Sequence, residues 1–343
     1  MNMPKSTPPK VSIGIPVFNG ANTLAKTISA AINQDYTNLE IIVSDNCSTD
    51  GTQVIAEGFQ SKDSRIRYIR QEQNYGMTAN FNKVFEYATG EYFMWAAHDD
   101  QHESTFISKC LPFLMSHPEA GLCVPRTQTY FRGEVSWISN MKTFAGIQSR
   151  IKLYNETLKH FPAVGMYGLY RSSKITNTHL LRNFTGADLV FVQDLVLHGD
   201  IVICEDILFS YYERETWNTL EEDYANIYGT SKMPWFYSPF LIVFWKQANT
   251  VIHSQNTLVT RVKLLGVLIR FQSGQVVTKV SLKLLKSLAP PRLRKQLAVK
   301  FYWKFMHNPN IEVKNSSAFL ERNVLPMVGI RSKNKDRNPS GTS

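Results

Sequence analysis

Within its first hundred residues the chain alternates between two hydrophobic periods, and this constrains the fold more than any other feature. Val11-Ser12-Ile13-Gly14-Ile15-Pro16-Val17-Phe18 is short, rich in β-branched residues and closed by the turn pair Asn19-Gly20, so it reads as a strand. Leu24, Ile28, Ala31 and Ile32 then recur at helical spacing. Residues 39–44 form a second strand, which runs into the turn formers Asp45-Asn46-Cys47-Ser48-Thr49-Asp50-Gly51 and a short helix to about Phe59. Residues 66–69 make a third strand. Residues 79–88 make a helix with Phe81, Val84, Phe85 and Ala88 on one face, and residues 91–97 a fourth strand. Strand and helix in strict turn predict a mostly parallel sheet with helices on both faces. Ligands of such sheets bind beyond the carboxyl ends of the strands. Residues 16–20, 45–50 and 98–100 all fall at those ends, so three polar loops share one rim.

The fourth strand stops abruptly. Met94-Trp95-Ala96-Ala97 is apolar, and His98-Asp99-Asp100 follows at once. Two carboxylates at a strand end can hold a divalent ion, and the ion a phosphate. Paired aspartates also open ordinary solvated turns, and this segment alone leaves both readings standing. Neither a GxGxxG nor a GxxxxGK[ST] motif is present, which removes the dinucleotide fingerprint and the P-loop.

Further on, residues 104–115 read as a helix, 121–124 as a strand, and 126–148 as a loop with short strands facing a variable ligand. A helix over 151–159, a strand over 166–171 and a helix from Ser172 come next. Thr185-Gly186-Ala187-Asp188 opens an apolar helix through Leu197, and residues 201–204 and 209–214 are strands.

Charge divides the chain. Residues 246–343 hold 18 Lys+Arg against 3 Asp+Glu, whereas residues 1–245 hold 20 against 25. A basic last third suggests contact with an anionic surface. Lys279, Lys283 and Lys286 share one helical face, with Val280, Leu284 and Leu288 on another, the pattern of an amphipathic basic helix that Pro290-Pro291 breaks and Arg292-Leu293-Arg294-Lys295 resumes. The alternative for this region is a set of helices packed on the first domain. Cys47, Cys110, Cys123 and Cys204 are widely spaced and lack a CxxC pattern, which speaks against zinc and a disulfide framework and for a reducing cytosol. The first ten residues have no apolar segment of the signal-peptide kind, and no stretch of about 18 apolar residues is free of charge.

At this point the first 215 residues or so resemble the family 2 glycosyltransferases. The motifs that carry the likeness are Ser12-Ile13-Gly14-Ile15-Pro16-Val17-Phe18-Asn19, Gln34-Asp35-Tyr36, the run from Glu40 to Thr52, Asn74-Tyr75-Gly76 with Asn80, Ala97-His98-Asp99-Asp100, Tyr167-Gly168-Leu169-Tyr170-Arg171 and Gly186-Ala187-Asp188. The resemblance implies an α/β, GT-A (Rossmann-like) mostly parallel sheet flanked by helices, with a basic, mainly helical C-terminal region. It divides the chain into a flexible N-terminus (1–10), a glycosyltransferase domain (11–230), a basic helical region that meets a membrane (231–330) and a disordered tail (331–343).

The resemblance also implies roles. Pro16, Phe18, Asn19, Asn74, Gly76 and Asn80 would surround the nucleotide, Asp45 would accept a hydrogen bond from its base, and Arg214 would bind phosphate or make a surface ion pair. Asp99 and Asp100 would meet Mg²⁺ or Mn²⁺, with Asp100 the first choice for a direct ligand. The family's usual Asp-x-Asp begins here with His98, which serves as a ligand or as a hydrogen-bonded neighbour. Asp188 would be the general base, with Asp194, Glu205 and Asp206 behind it. An aspartate there also suits a helix N-cap.

The resulting reading is an inverting, metal-dependent glycosyltransferase of the hexosyltransferase kind. It would use a nucleotide-diphosphate sugar and a hydroxyl of a glycan, lipid-linked in bacterial cell-surface polysaccharide or lipopolysaccharide synthesis. Its place would be the cytoplasm, at the inner face of the membrane and in peripheral contact with anionic lipid. Two rivals stand beside it. One is a nucleic-acid-binding protein using the basic tail, against which the acidic first 245 residues count. The other is a metal-dependent nucleotidyltransferase, which would need a Gly-rich basic loop where Pro16-Val17-Phe18-Asn19-Gly20 stands.

Overall fold

β1 (Val11–Val17), α1 (Leu24–Ile32), β2 (Leu39–Asp45), α2 (Thr52–Gln60), β3 (Ile66–Arg70), α3 (Met77–Glu86) and β4 (Tyr92–Trp95) realise the alternation of the first hundred residues. These four strands are parallel in the order β4-β1-β2-β3. The coordinates are a computed structural model that describes residues 8–144, 146–213, 219–230, 232–288, 296–297, 299–300, 308–315, 319–320, 322 and 324. Arg214, the N-terminal residues 1–7 and the tail 331–343 lie outside the described residues. So do the side chains of the Lys279, Lys283 and Lys286 face.

Period-two alternation sorts the core into two layers. Val11, Ile13, Ile15 and Val17 of β1, with Tyr92 and Met94 of β4, pack on α1 and α2 on one side of the sheet. Phe93 and Trp95 point to the other side, where Val84 of α3 lies.

β5 (Gln101–His102), α4 (Phe106–Ser116), β6 (Ala120–Phe131), β7 (Glu134–Ser139), α5 (Arg150–His160), β8 (Leu169–Arg171), α6 (Ser172–Ile175), α7 (Ala187–Leu195) and β9 (Asp200–Tyr212) complete the α/β layers. Here the sheet becomes mixed. β8 is antiparallel to β4 and β6, β6 is antiparallel to β7 and parallel to β9, and β5 is antiparallel to β9. Residues 126–139, expected as loop with short strands, are a β-hairpin. Its two-residue turn, Arg132-Gly133, has φ of 53° and 80°, the left-handed pair that a tight hairpin turn needs. The two strands expected over 201–204 and 209–214 are one, β9. The exposed stretch 205–207 is carried along β6 by register shifts near Arg126. Residues 166–167, expected at the start of a strand, belong to a 3-10 turn over Ala163–Tyr167.

α8 (Leu220–Tyr228), α9 (Pro239–His253), α10 (Leu258–Leu288) and β10 (Ile311–Val313) follow. α9 packs on α7, α10 packs on α5 and α9, and β10 adds an unexpected antiparallel strand beside β7. Val251, Leu264 and Leu268 are fully buried in the same cluster as Trp95. Among the described residues no helix is long and apolar enough to cross a membrane.

Candidate active site

Register places the site. Val17 pairs with Asp45, and Gly14 pairs with Trp95, so β1, β2 and β4 all deliver their following loops to one rim. A cleft of about 950 Å³ opens there, lined by Phe18, Asn46, Tyr75 and Asp99 together with Tyr167, Phe184 and Asp188. Aromatic contacts link the segments that carry them. Trp95, four residues before Asp99, meets Tyr170 edge-on at 5.2 Å and Phe191, three residues after Asp188, at 5.4 Å. Its indole N–H donates to the Phe81 carbonyl at 3.0 Å. These contacts tie the end of β4 to β8 and α7.

Of the residues expected at the site, Pro16, Phe18, Asn74, Gly76, Asn80, His98, Asp99 and Asp188 line the cleft. Three expectations move. Asp45 is fully buried beneath the rim. Its Oδ1 accepts from the Ser48 N–H at 2.9 Å and hydroxyl at 2.5 Å, and its Oδ2 from the Tyr68 hydroxyl at 2.7 Å and Arg70 at 3.1 Å. Its neighbour Asn46 lines the cleft instead. Asn19 does not line it. Its Oδ1 accepts from Thr49 N–H at 2.9 Å and its own N–H donates to Ser48 at 2.8 Å, clipping two loops together. Asp100 is buried, and its Oδ1 accepts from Tyr212 N–H at 3.2 Å, so the exposed carboxylate at the rim is that of Asp99.

The loops around Asn46 and Asn74 are tightly knit. Asn46 Nδ2 donates to Asn74 Oδ1 at 2.7 Å, and Asn46 Oδ1 accepts from Tyr75 N–H at 2.9 Å. Gly76, at φ 87°, then starts α3 in a conformation that side-chain-bearing residues rarely adopt. Asn80 donates to the Val17 and Ser44 carbonyls at 3.3 and 2.9 Å and accepts from the Ser44 hydroxyl at 2.6 Å. It thus ties α3 to the ends of β1 and β2. His98 Nδ1 lies 2.9 Å from the Thr23 hydroxyl, and the His98 carbonyl accepts from Thr27 at 3.0 Å.

Asp188 lies in the first turn of α7, behind Gly186, which caps the helix at φ 87°. It is not the N-cap. Burial raises the Asp188 pKa above the ordinary aspartate value, against the lowering effect of its own and the Leu189 backbone N–H. Asp194 faces elsewhere. It accepts from the His179 backbone N–H at 2.8 Å, and its other oxygen is 3.6 Å from His198. Glu205 and Asp206 are exposed on β9, where Asp206 pairs with Lys109 at 3.4 Å.

Sequence reasoning missed several contributors. Tyr167 lines the cleft, and its pKa is pushed well up by burial and by the charges of Asp100, Tyr211, Asp99 and Asp188, so it stays a neutral donor among carboxylates. Asp223, Asn226 and Ile227, on one face of α8, line it too. The signal for that helix was present, since Thr219 and Glu222 form a capping box.

The donor set suits a hard cation. The described lining holds Asp99, Asp188 and Asp223 but no Lys or Arg. A diphosphate would meet net repulsion there unless a cation accompanied it. No group of three or more His, Cys, Asp or Glu that could cage a metal occurs among the described residues. Mg²⁺ needs no such cage, because it is commonly held by one or two carboxylates together with substrate phosphates.

Residues 12–177 match the model of glycosyl transferase family 2. Over that segment, just under half of its length, the chain is similar to this family. A Bacillus subtilis glycosyltransferase assigned to teichuronic acid biosynthesis, TuaG, is 33% identical over 107 residues, 31% of this chain and 42% of that protein. The GalNAc(5)-diNAcBac-PP-undecaprenol beta-1,3-glucosyltransferase of Campylobacter jejuni is 36% identical over 114 residues, 33% of this chain and 36% of its own. The chain thus spans less than half the length of these relatives. S. aureus TarS 1-349 in complex with UDP has the same fold, with a TM-score of 0.58 at 16% identity over 84% of this chain and 78% of that one. The mixed, helix-flanked sheet is therefore a GT-A-like α/β fold.

Proposed function

We propose that the cleft transfers a sugar from a nucleotide-diphosphate sugar to a hydroxyl of a glycan, with inversion at the anomeric carbon. One observation carries the reading: Asp99 and Asp188 line one cleft, and Trp95 and Phe191, close to them in sequence, are in ring contact. Phe18 and Tyr75, about two-fifths exposed, offer ring faces to a planar base beside Asn46. S. aureus TarS was solved with UDP and with UDP-GlcNAc, which supports a uridine donor of the hexosyl kind.

Asp99 would hold Mg²⁺ or Mn²⁺, with His98 beside it and Asp100 bracing the loop from behind. Bound there, the ion would offset charge on the departing diphosphate. Asp188 accepts the proton of the acceptor hydroxyl as its oxygen bonds to the anomeric carbon. The bond from that carbon to the diphosphate oxygen breaks on the opposite face, and the nucleoside diphosphate leaves with the electron pair. The raised pKa makes Asp188 a stronger base than an exposed aspartate.

The acceptor is read as a lipid-linked glycan of a bacterial surface polysaccharide, reached at the cytoplasmic face of an anionic membrane. The undecaprenol-linked substrate named for the Campylobacter relative and the basic last third support this. The direct test is thermal stabilisation and slow hydrolysis of a panel of nucleotide sugars, with and without Mn²⁺. A donor that both stabilises and is cleaved is expected; a panel in which none does either removes the glycosyltransfer reading.

A further inference from the structure

We propose that the exposed face of α9, with the turn that precedes it, docks on an anionic lipid bilayer and sets the cleft at the membrane surface. Trp235 is 94% exposed, Phe236 69%, Leu241 60% and Trp245 67%. Leu241 and Trp245, four apart on α9, share an exposed stripe with Ile252, whereas Gln247 and Thr250, which are buried, lie on the other side of the helix. Next to this helix, α10 carries a second exposed stripe, Leu258, Val262 and Ile269. Large apolar side chains in such numbers are not the scattered exposure of an ordinary surface.

Charge identifies the occupant. Residues 232–288 contain eight Lys and Arg and no Asp or Glu. A second copy offering the same face would bring like charge against like charge. An anionic bilayer answers both features at once: its interface accommodates Trp and Phe, and its headgroups attract Lys and Arg. The amphipathic pattern that sequence placed at 279–295 is thus preceded, on side chains the structure describes, by a docking surface at 235–269.

The surface adjoins the cleft. Tyr237, next to Phe236, meets Tyr224 of α8 at 4.7 Å, and α8 supplies Asp223, Asn226 and Ile227 to the cleft. Lys246, next to Trp245, lies 6.0 Å from the ring of Phe184, a cleft residue that Arg182 approaches to 5.9 Å. Docked by α9, the protein would keep the acceptor's sugar end within reach while its lipid stays in the bilayer. That purpose rests on the reading of a lipid-linked acceptor; the docking itself does not.

The test is flotation of the full chain with phosphatidylglycerol–phosphatidylcholine vesicles and with phosphatidylcholine alone, for the wild type and the double variant Trp235→Glu/Trp245→Glu. Both side chains are largely exposed, so the variant should fold, and circular dichroism with donor hydrolysis in solution checks that it does. The wild type is expected to float with anionic vesicles only, weakening with salt, and the variant to bind at least about tenfold more weakly with hydrolysis unchanged. Equal flotation of the two proteins overturns the assignment of the face. A wild type that hydrolyses donor yet ignores vesicles overturns docking and leaves glycosyltransfer standing. Flotation without turnover of any donor supports docking and counts against the enzymatic reading. A variant that changes only from dimer to monomer in sedimentation assigns the face to self-association and overturns the proposal.

Discussion

Asp188 and Asp99 share a cleft but differ in surroundings, and the roles proposed for them rest on that difference. Burial holds the Asp188 pKa up, so transfer should rise with pH through an acid limb lying above the ordinary aspartate range. Asp188→Asn should lower kcat by roughly 10²- to 10⁴-fold while donor KM changes little. Steady-state rates across pH check both, and an unchanged kcat would move the base elsewhere. Asp99→Asn should abolish Mn²⁺-dependent stabilisation by UDP. Asp100→Asn should instead lower the melting temperature and leave part of that stabilisation, because Asp100 anchors Tyr212 N–H. Calorimetric titration of each variant separates the two. Sequence put both aspartates at a rim but ranked Asp100 first. The proposal here puts Asp99 first because a strand that returns 112 residues later engages Asp100, and no local pattern carries that information. Asp45 is the same case: Tyr68 and Arg70, on the next strand, take up the carboxylate that looked free for a base.

Elements with strong periodicity were legible, and those whose identity depends on distant pairing were not. β1 to β4 and their helices follow from apolar spacing and turn residues, whereas the β6–β7 hairpin turns on Arg132-Gly133, a weaker signal than Asn-Gly. The parallel half also depends on one side chain that sequence did not single out. Glu40 on β2 accepts from Lys10 at 2.9 Å, from Ser12 at 2.5 Å and from the Thr89 N–H and hydroxyl at 2.6 and 2.9 Å. Burial alone would raise its pKa. The bonds from Ser12, Lys10 and Thr89 outweigh burial and lower it from 4.5 to about 2. A depressed carboxylate stabilises the fold above the unfolded value, and that stability drains away as pH falls from 4.5 toward 2. Discounted for solvent screening, the effect is on the order of 1–2 kcal/mol. Glu40→Gln should therefore lower the urea midpoint at pH 7 and narrow the gap between pH 7 and pH 3. Parallel urea curves at the two pH values measure it, and an undiminished gap would assign acid lability to other groups.

At the scale of the molecule, the boundary that charge suggests near residue 230 crosses a continuous core. A basic last third looks separable in sequence because its charge is one-sided, and charge reports on surfaces rather than on what lies beneath them. Beneath, Ala248, Val251, Leu264 and Leu268 are buried with Trp95, Tyr154 and Phe191, so α9 and α10 complete the layer that positions Asp188. The inward faces of the two helices pack, and their outward faces stay apolar and exposed, which is the surface the docking proposal uses. This makes truncation informative. Removing residues 246–343 would uncover that layer and forfeit roughly 1.5–3 kcal/mol for each large apolar side chain that α9 and α10 bury. The total is comparable to the about 5–15 kcal/mol that holds a whole domain folded. The truncated chain should thus lose its cooperative melting transition and aggregate, rather than leave the membrane as an active soluble enzyme. Point changes on the outward face alone, such as Trp245→Glu, should leave the melting temperature within about 2 °C. Differential scanning calorimetry on the two proteins decides the matter. A truncated form that melts cooperatively and still hydrolyses donor would show that the helices stand apart from the catalytic core.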